Sequence, residues 1–386
     1  MASAEPPPYT YNLDQSLTCP RNVIDAWYSK SASAGGGLRP VRANATSALA
    51  NVIAAVPSKL EHLMATLRAP SAMVIAQQAG VTLFESYQGT ARVGTSVPLT
   101  RDSGFMIASN SKVFTAVMLF ALRDAGALPQ GLDTPVASLM PGWVEPHTVY
   151  GEAGARSRRG LTLRSLATHA SGLPRETPHG RTEEEILREV GNMRMLFPQY
   201  AATAYSNLGV SLLGRTLERA TGGLRWEEWV ETKIMRPLGM LHSGPCLRTA
   251  AEAASIVDGV DPTSGSLIRR HYSNSSRCPW GAPAGGVYST AADMARWASF
   301  LAGTLPMAQV LDPSSILELR NTGMLQDDGI SAVSGGTLES AFSHGRWTFN
   351  KLGCLDGYRS ATTLCPLPRA VNVRRCRLHL RPLRRW

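Results

Sequence analysis

The sequence predicts an α+β fold, an antiparallel sheet flanked by helices with a helical lobe inserted into it, and three observations carry that expectation. Residues 72–89 read as a β-hairpin: Met73-Val74-Ile75-Ala76 and Val81-Thr82-Leu83-Phe84 flank a turn at Gln78-Ala79-Gly80. Strand-like runs return at residues 346–352 and 359–364. Between the two regions the chain is helical in period and punctuated by Gly and Pro. Strands from both ends with helices between them predict a sheet built from N- and C-terminal segments. A length of 386 residues suits one two-lobed enzyme as well as two average domains.

In chain order, residues 1 to about 45 are rich in Pro, Gly, Ser and Ala and predict an irregular leader. Residues 47–67 carry apolar side chains at helical spacing, and the hairpin follows. Residues 109–125 are nearly all apolar after their first turn, with Gly126 at the position of a C-terminal cap, which predicts a helix buried on every side. Further helices are expected at 182–193, 208–220 and 226–234, and another at 290–301 opened by the capping residues Ser289 and Thr290.

Composition narrows the function. With 44% hydrophobic and 18% charged residues the chain reads as globular. The net charge of +10 is concentrated at the C-terminus, where Arg369, Arg374, Arg375, Arg377, Arg381, Arg384 and Arg385 occur with no acid after them. The body is nearly neutral, and no nucleic-acid module accompanies the tail, so no nucleic-acid partner is expected. Cys19, Cys246, Cys278, Cys354, Cys365 and Cys376 form no CxxC pair, the histidines form no HExxH, and their disulfide pairing stays open. No metal and no cofactor are expected. Residues 1–10 lack the apolar stretch of a signal peptide, and no transmembrane segment is expected; the compartment stays unassigned.

The sharpest chemical feature is Ser109-Asn110-Ser111-Lys112 at the mouth of the buried helix. Residues three apart share a helix face, so the Ser109 hydroxyl and Lys112 amine can meet. Desolvation and the partial positive charge of the helix start disfavour protonation of the lysine, which can then act as a base toward the serine. Taken alone, the pattern fits equally a helix-capping serine and a lysine that snorkels to solvent. Tyr205-Ser206-Asn207 precedes a helix: a tyrosine there can relay a proton if lysine charge lowers its pKa, and Asn207 can bond both the lysine and a substrate amide. In Lys351-Leu352-Gly353-Cys354, the lysine supplies positive potential, Gly353 lets a substrate approach the backbone, and the Cys354 N–H can donate to an oxyanion. A lysine and glycine protecting an edge strand would look the same. His169 is expected to be structural. The chain contains no Gly-x-Ser-x-Gly pentapeptide and no glycine followed by lysine, so neither an α/β-hydrolase elbow nor a P-loop is present.

In order, Ser-x-x-Lys, Tyr-x-Asn and Lys-x-Gly at 109, 205 and 351 resemble the three signatures of the serine beta-lactamase and penicillin-binding-protein superfamily. Phe105-Met106-Ile107-Ala108, the run from Leu166 to Pro174, Arg236-Pro237-Leu238-Gly239-Met240 and the run from Gly285 to Thr290 look like its class C branch. Leu355 to Tyr358 look like its eukaryotic beta-lactamase-like members. The resemblance covers about residues 50–368. It implies a beta-lactamase/transpeptidase-like fold with a sheet lobe over about 46–126 and 285–368 and a helical lobe over about 127–284; the Arg-rich atypical tail at 369–386 departs from the family, which usually continues with another strand and a long C-terminal helix. It implies a serine hydrolase acting through an acyl-enzyme on a small-molecule or peptide substrate. Ser109 would be the nucleophile, Lys112 and Tyr205 the proton relay, and Asn207, Lys351, Gly353 and Cys354 the substrate-binding set. The alternative is a catalytically inactive interaction or scaffold protein of the same fold. Leu352 stands where the family often has a threonine that helps bind substrate carboxylates, which shifts the expected substrate from beta-lactams toward an ester or peptide.

Overall fold

The computed structural model describes residues 45–78, 80–148, 160–177, 182–261, 263–268, 274–305, 310–325, 331–343 and 346–365. The leader and the Arg-rich tail lie outside the described residues. Helices in chain order are α1 (Ala45–Leu67), α2 (Ser111–Asp124), α3 (Leu163–Ala167), α4 (Glu183–Asn192), α5 (Asn207–Leu217), α6 (Trp226–Val230), α7 (Ala250–Ser255), α8 (Ala282–Gly285), α9 (Ala291–Ala302) and α10 (Pro313–Arg320). Strands are β1 (Ser71–Gln78), β2 (Val81–Gly89), β3 (Phe105–Met106), β4 (Gly259–Val260), β5 (Leu267–Ile268), β6 (Tyr288–Ser289), β7 (Thr322–Leu325), β8 (Ser331–Ser334), β9 (Glu339–Ser343), β10 (Arg346–Leu355) and β11 (Tyr358–Leu364).

Local chemistry accounts for the helix ends. Thr182 and Thr290 cap α4 and α9 by accepting the N–H groups of Glu185 and Asp293. In α4 the Glu185 side chain returns the bond to the Thr182 backbone. Trp226–Val230 continues into a π-helical turn over Glu231–Met235, which accounts for the longer helix expected there. The buried helix begins later than expected: a 3-10 turn over Ala108–Asn110 presents Ser109, and α-helical geometry starts at Ser111.

Helix α2 is the spine of the core. Val113, Phe114, Ala116, Val117, Met118, Leu119 and Phe120 are all buried, and Phe114 stacks on Trp297 of α9 with ring centroids 3.9 Å apart. Polar groups on α2 are spent on fixing its neighbours. Ser111 Oγ accepts the Val287 N–H at 3.0 Å, Thr115 Oγ1 donates to the Pro283 carbonyl at 2.8 Å, and the Trp226 indole donates to Thr115 Oγ1 at 3.0 Å.

The sheet differs from the expectation in its pairing. β1 and β2 form the expected antiparallel hairpin, Ser71 opposite Gly89, as a two-stranded ladder of their own. The larger sheet has order β11-β10-β9-β8-β7 and comes entirely from the C-terminal part of the chain. Helix α9 lies against both β1 and β11, and Ser299 Oγ donates to Gln77 Oε1 at 2.7 Å. Lys351 pairs with Thr362 of β11 one residue beyond the end of the β9 ladder, and its burial does not fit an exposed lysine protecting an edge. Leu355 pairs with Tyr358 across an Asp-Gly turn whose Gly357 has φ 76°, a conformation glycine adopts without steric cost. Cys246 and Cys278 form a disulfide, while Cys19 and Cys376 lie outside the described residues.

Candidate active site

Three segments converge on Ser109. The 3-10 turn is held from above by β10 and β11: Ser360 Oγ donates to the Ile107 carbonyl at 2.7 Å and accepts from Asn110 Nδ2 at 2.8 Å. Gly353 sits opposite Ser360 in the ladder, and a Cβ built there would come within 2.3 Å of both the Ile107 carbonyl and Ser360 Oγ. Besides the substrate approach expected of Gly353, the close passage of the turn that carries Ser109 itself requires a glycine there. Ala108, next to the serine, has φ 48°, a left-handed conformation that costs a non-glycine residue about 1–3 kcal/mol and is tolerated where the surroundings enforce it.

The second segment is the start of α5. Ser206 is its N-cap, accepting the Gly209 N–H at 2.8 Å and donating to the Pro174 carbonyl at 2.7 Å. This fixes Tyr205 before the helix and Asn207 in its first turn. Tyr205 donates to Ser109 Oγ at 2.6 Å. Lys112, fully buried, has Nζ at 3.1 Å from Ser109 Oγ, 2.8 Å from Asn207 Oδ1 and 2.7 Å from the Ala284 carbonyl of α8.

Burial pushes Lys112 well below the usual lysine range, helped by the Lys351 charge and opposed by Glu339. The three oxygen neighbours of Lys112 Nζ match the three donors of an ammonium; in the neutral form that burial favours, two N–H bonds serve Asn207 and Ala284 and the lone pair faces the Ser109 hydroxyl. Burial raises Tyr205 against the opposing Lys351 charge. Lysine charge does pull it down, as the relay would need, but burial outweighs that pull, so the phenol stays protonated and is a donor toward Ser109 Oγ. Arg175 and Lys351 stand 4.9 and 5.1 Å from its ring centroid as cations, and Lys112 Nζ lies 4.7 Å from it.

The third segment is β10. Buried Lys351 reaches Glu339 of β9 at 2.5 Å, and half-buried Cys354 lies on the same strand beyond Gly353. Sequence reasoning missed the residues brought in by register and loop closure. Glu339 is opposite Asn350, beside Lys351, and no local pattern marks it. Glu176 accepts from Asn207 Nδ2 at 3.1 Å and pairs with Arg175 at 2.9 Å; its only signal was adjacency to the Leu166–Pro174 run. His169, expected to be structural, is buried at φ 57°; its Nδ1 accepts the Ser206 N–H at 3.2 Å and its ring lies 4.6 Å from that of Tyr205. Burial holds it well below the ordinary histidine range, hence neutral. Among the described residues no group of three or more His, Cys, Asp and Glu side chains could hold a metal ion. No helix among them is long and apolar enough to cross a membrane.

Comparison with known proteins follows the same lines. A family profile described as "Beta-lactamase" matches residues 56–367. The chain is 33% identical over 280 residues to "Beta-lactamase-like protein 2" of Dictyostelium discoideum, covering 70% of this chain and 48% of that protein. It is 31% identical over 226 residues to the "D-alanyl-D-alanine-carboxypeptidase/endopeptidase AmpH" of Escherichia coli K12, covering 56% of this chain and 53% of that protein. The chain thus spans about half the length of these relatives. A class C beta lactamase from Rhodobacter sphaeroides superposes with a TM-score of 0.65 at 21% identity, over 81% of this chain and 90% of that one, a likeness of fold.

Proposed function

Because the chain belongs to the beta-lactamase family, we propose that it is a serine hydrolase that works through a covalent acyl-enzyme on an ester, amide or peptide. The observation that carries the proposal is the unbroken chain from Lys112 Nζ through Ser109 Oγ to Tyr205 OH, 3.1 and 2.6 Å long, with burial holding the lysine below its usual range. Lys112 takes the Ser109 proton as Oγ bonds to the substrate carbonyl carbon. The backbone N–H groups of Ser109 and Cys354 hold the oxyanion that forms. Collapse breaks the bond to the leaving group, which takes the Tyr205 proton; the Lys112 ammonium resupplies the phenol. Water then attacks the acyl-enzyme with the same groups running in reverse. Asn207 orients the amine and the acyl chain.

The test is intact-mass analysis after exposure to a fluorophosphonate, then to a panel of activated esters and beta-lactams. The expected result is one adduct, mapped to Ser109 and absent from Ser109→Ala. An unlabelled wild type would support the inactive scaffold instead.

A further inference from the structure

The cations around the nucleophile come already paired. Lys351, buried to 1% exposure, meets Glu339 at 2.5 Å, and Glu339 itself stays 30% exposed. Arg175 meets Glu176 at 2.9 Å, both on the open side. Glu176 also takes a hydrogen from the Asn207 amide at 3.1 Å. The charges of these four residues cancel. A carboxylate on a substrate needs an unengaged cation at the point of contact, and here it would have to displace a resident carboxylate or lie beside one. Leu352, between Lys351 and Gly353, supplies no hydroxyl to take its place.

We propose that Glu339 and Glu176 are specificity-determining residues: by occupying Lys351, Arg175 and Asn207 they make the site select acyl donors that carry no carboxylate beside the scissile bond. An uncharged amide or ester end group avoids the clash between anions and keeps both ion pairs intact. Glu339 matters more, because its partner is buried and the bond is little weakened by solvent, whereas the Arg175–Glu176 pair is exposed and screened. The proposal rests on the serine-hydrolase reading for its substrate class, but the charge pattern it uses is independent of turnover.

Two thioesters that differ only in ending in a carboxylate or in its carboxamide, next to the scissile carbonyl, read the selection. Wild type should favour the carboxamide in kcat/KM by about tenfold, the size of one charge-assisted contact. Glu339→Gln keeps an acceptor for Lys351 but frees its charge, and should erase or invert the ratio; Glu176→Gln should move it less in the same direction. Binding of the same pair to Ser109→Ala, followed by calorimetry, removes the chemistry. If wild type cleaves neither ester while Ser109→Ala binds the carboxamide more tightly, the hydrolase reading fails and the selection stands. If Ser109→Ala binds the carboxylate equally or better, or binds neither, or if Glu339→Gln leaves the ratio unchanged, the selection is overturned.

Discussion

At the scale of single residues, the proposed mechanism makes activity depend on the charge state of Lys112. The amine must be neutral to take the serine proton, so kcat/KM rises as pH climbs through its pKa, which burial and the Lys351 charge hold down. Lys351→Met removes a positive neighbour, makes protonation easier and should move the acid limb of the pH profile to higher pH. Glu339→Gln removes a negative neighbour and should move that limb to lower pH. Opposite displacements in the two profiles are the check; parallel ones would separate Lys112 from the limb. Gly353 sets a second residue-scale constraint. A methyl there meets backbone at the Ile107 carbonyl, which cannot swing aside as a side chain would. Gly353→Ala should displace the Ser109 turn and lower kcat/KM by about a hundredfold, the cost of an ångström-scale misplacement. Retained secondary structure in circular dichroism would assign that loss to the site.

Elements differ in how far the sequence discloses them. The hairpin β1–β2, the buried helix α2, and α4 and α9 with their Thr caps were legible because apolar period, turn residues and capping residues agree locally. Strands β7, β8 and β9 were not. Ser331–Ser334 and Glu339–Ser343 are short and rich in serine, and they become strands through pairing, β9 with β10 and β8 with β9, rather than through their own composition. The same physics hid half of the site. Ser109 and Lys112 share a helix face and Tyr205 and Asn207 flank one helix cap, so each pair is marked by local spacing, whereas Glu339 reaches Lys351 only through strand register. Local agreement is strongest at α2, and its energetics are correspondingly testable. Phe114 is wholly buried and stacked on Trp297, so Phe114→Ala should cost about 3–5 kcal/mol as lost transfer energy plus cavity. A shift of that size in the denaturant midpoint, with unchanged slope, would verify it.

At the scale of the whole molecule, the site depends on a distant clamp. The Ala284 carbonyl that accepts from Lys112 sits in α8, just after the segment 278–281. Two devices hold that segment. The disulfide ties Cys278 to Cys246, 32 residues away. Buried Arg215 donates to the carbonyls of Pro279 at 2.7 Å and Trp280 at 3.1 Å while paired with Glu218 and Glu227 at 2.5 and 3.2 Å. Glu227 in turn accepts the Cys278 N–H at 3.1 Å. The disulfide acts mainly by restricting the unfolded chain, and for a loop of this length contributes about 3–4 kcal/mol. Arg215 acts on the folded geometry itself, and its removal takes the ion-pair partner from buried Glu218 and leaves buried Glu227 only its longer pair with Arg225, at 3.6 Å, at a cost of about 3–5 kcal/mol. The two losses should therefore look different. The double variant Cys246→Ser/Cys278→Ser should melt several degrees lower yet keep the kcat/KM of the wild type while folded, because the arginine still fixes residues 278–280. Arg215→Met should lower the melting temperature and also reduce kcat/KM, as Ala284 drifts from Lys112. Melting curves and kinetics recorded below both transitions read the contrast, and equal activity losses in the two variants would show that the arginine does not hold the segment without the disulfide.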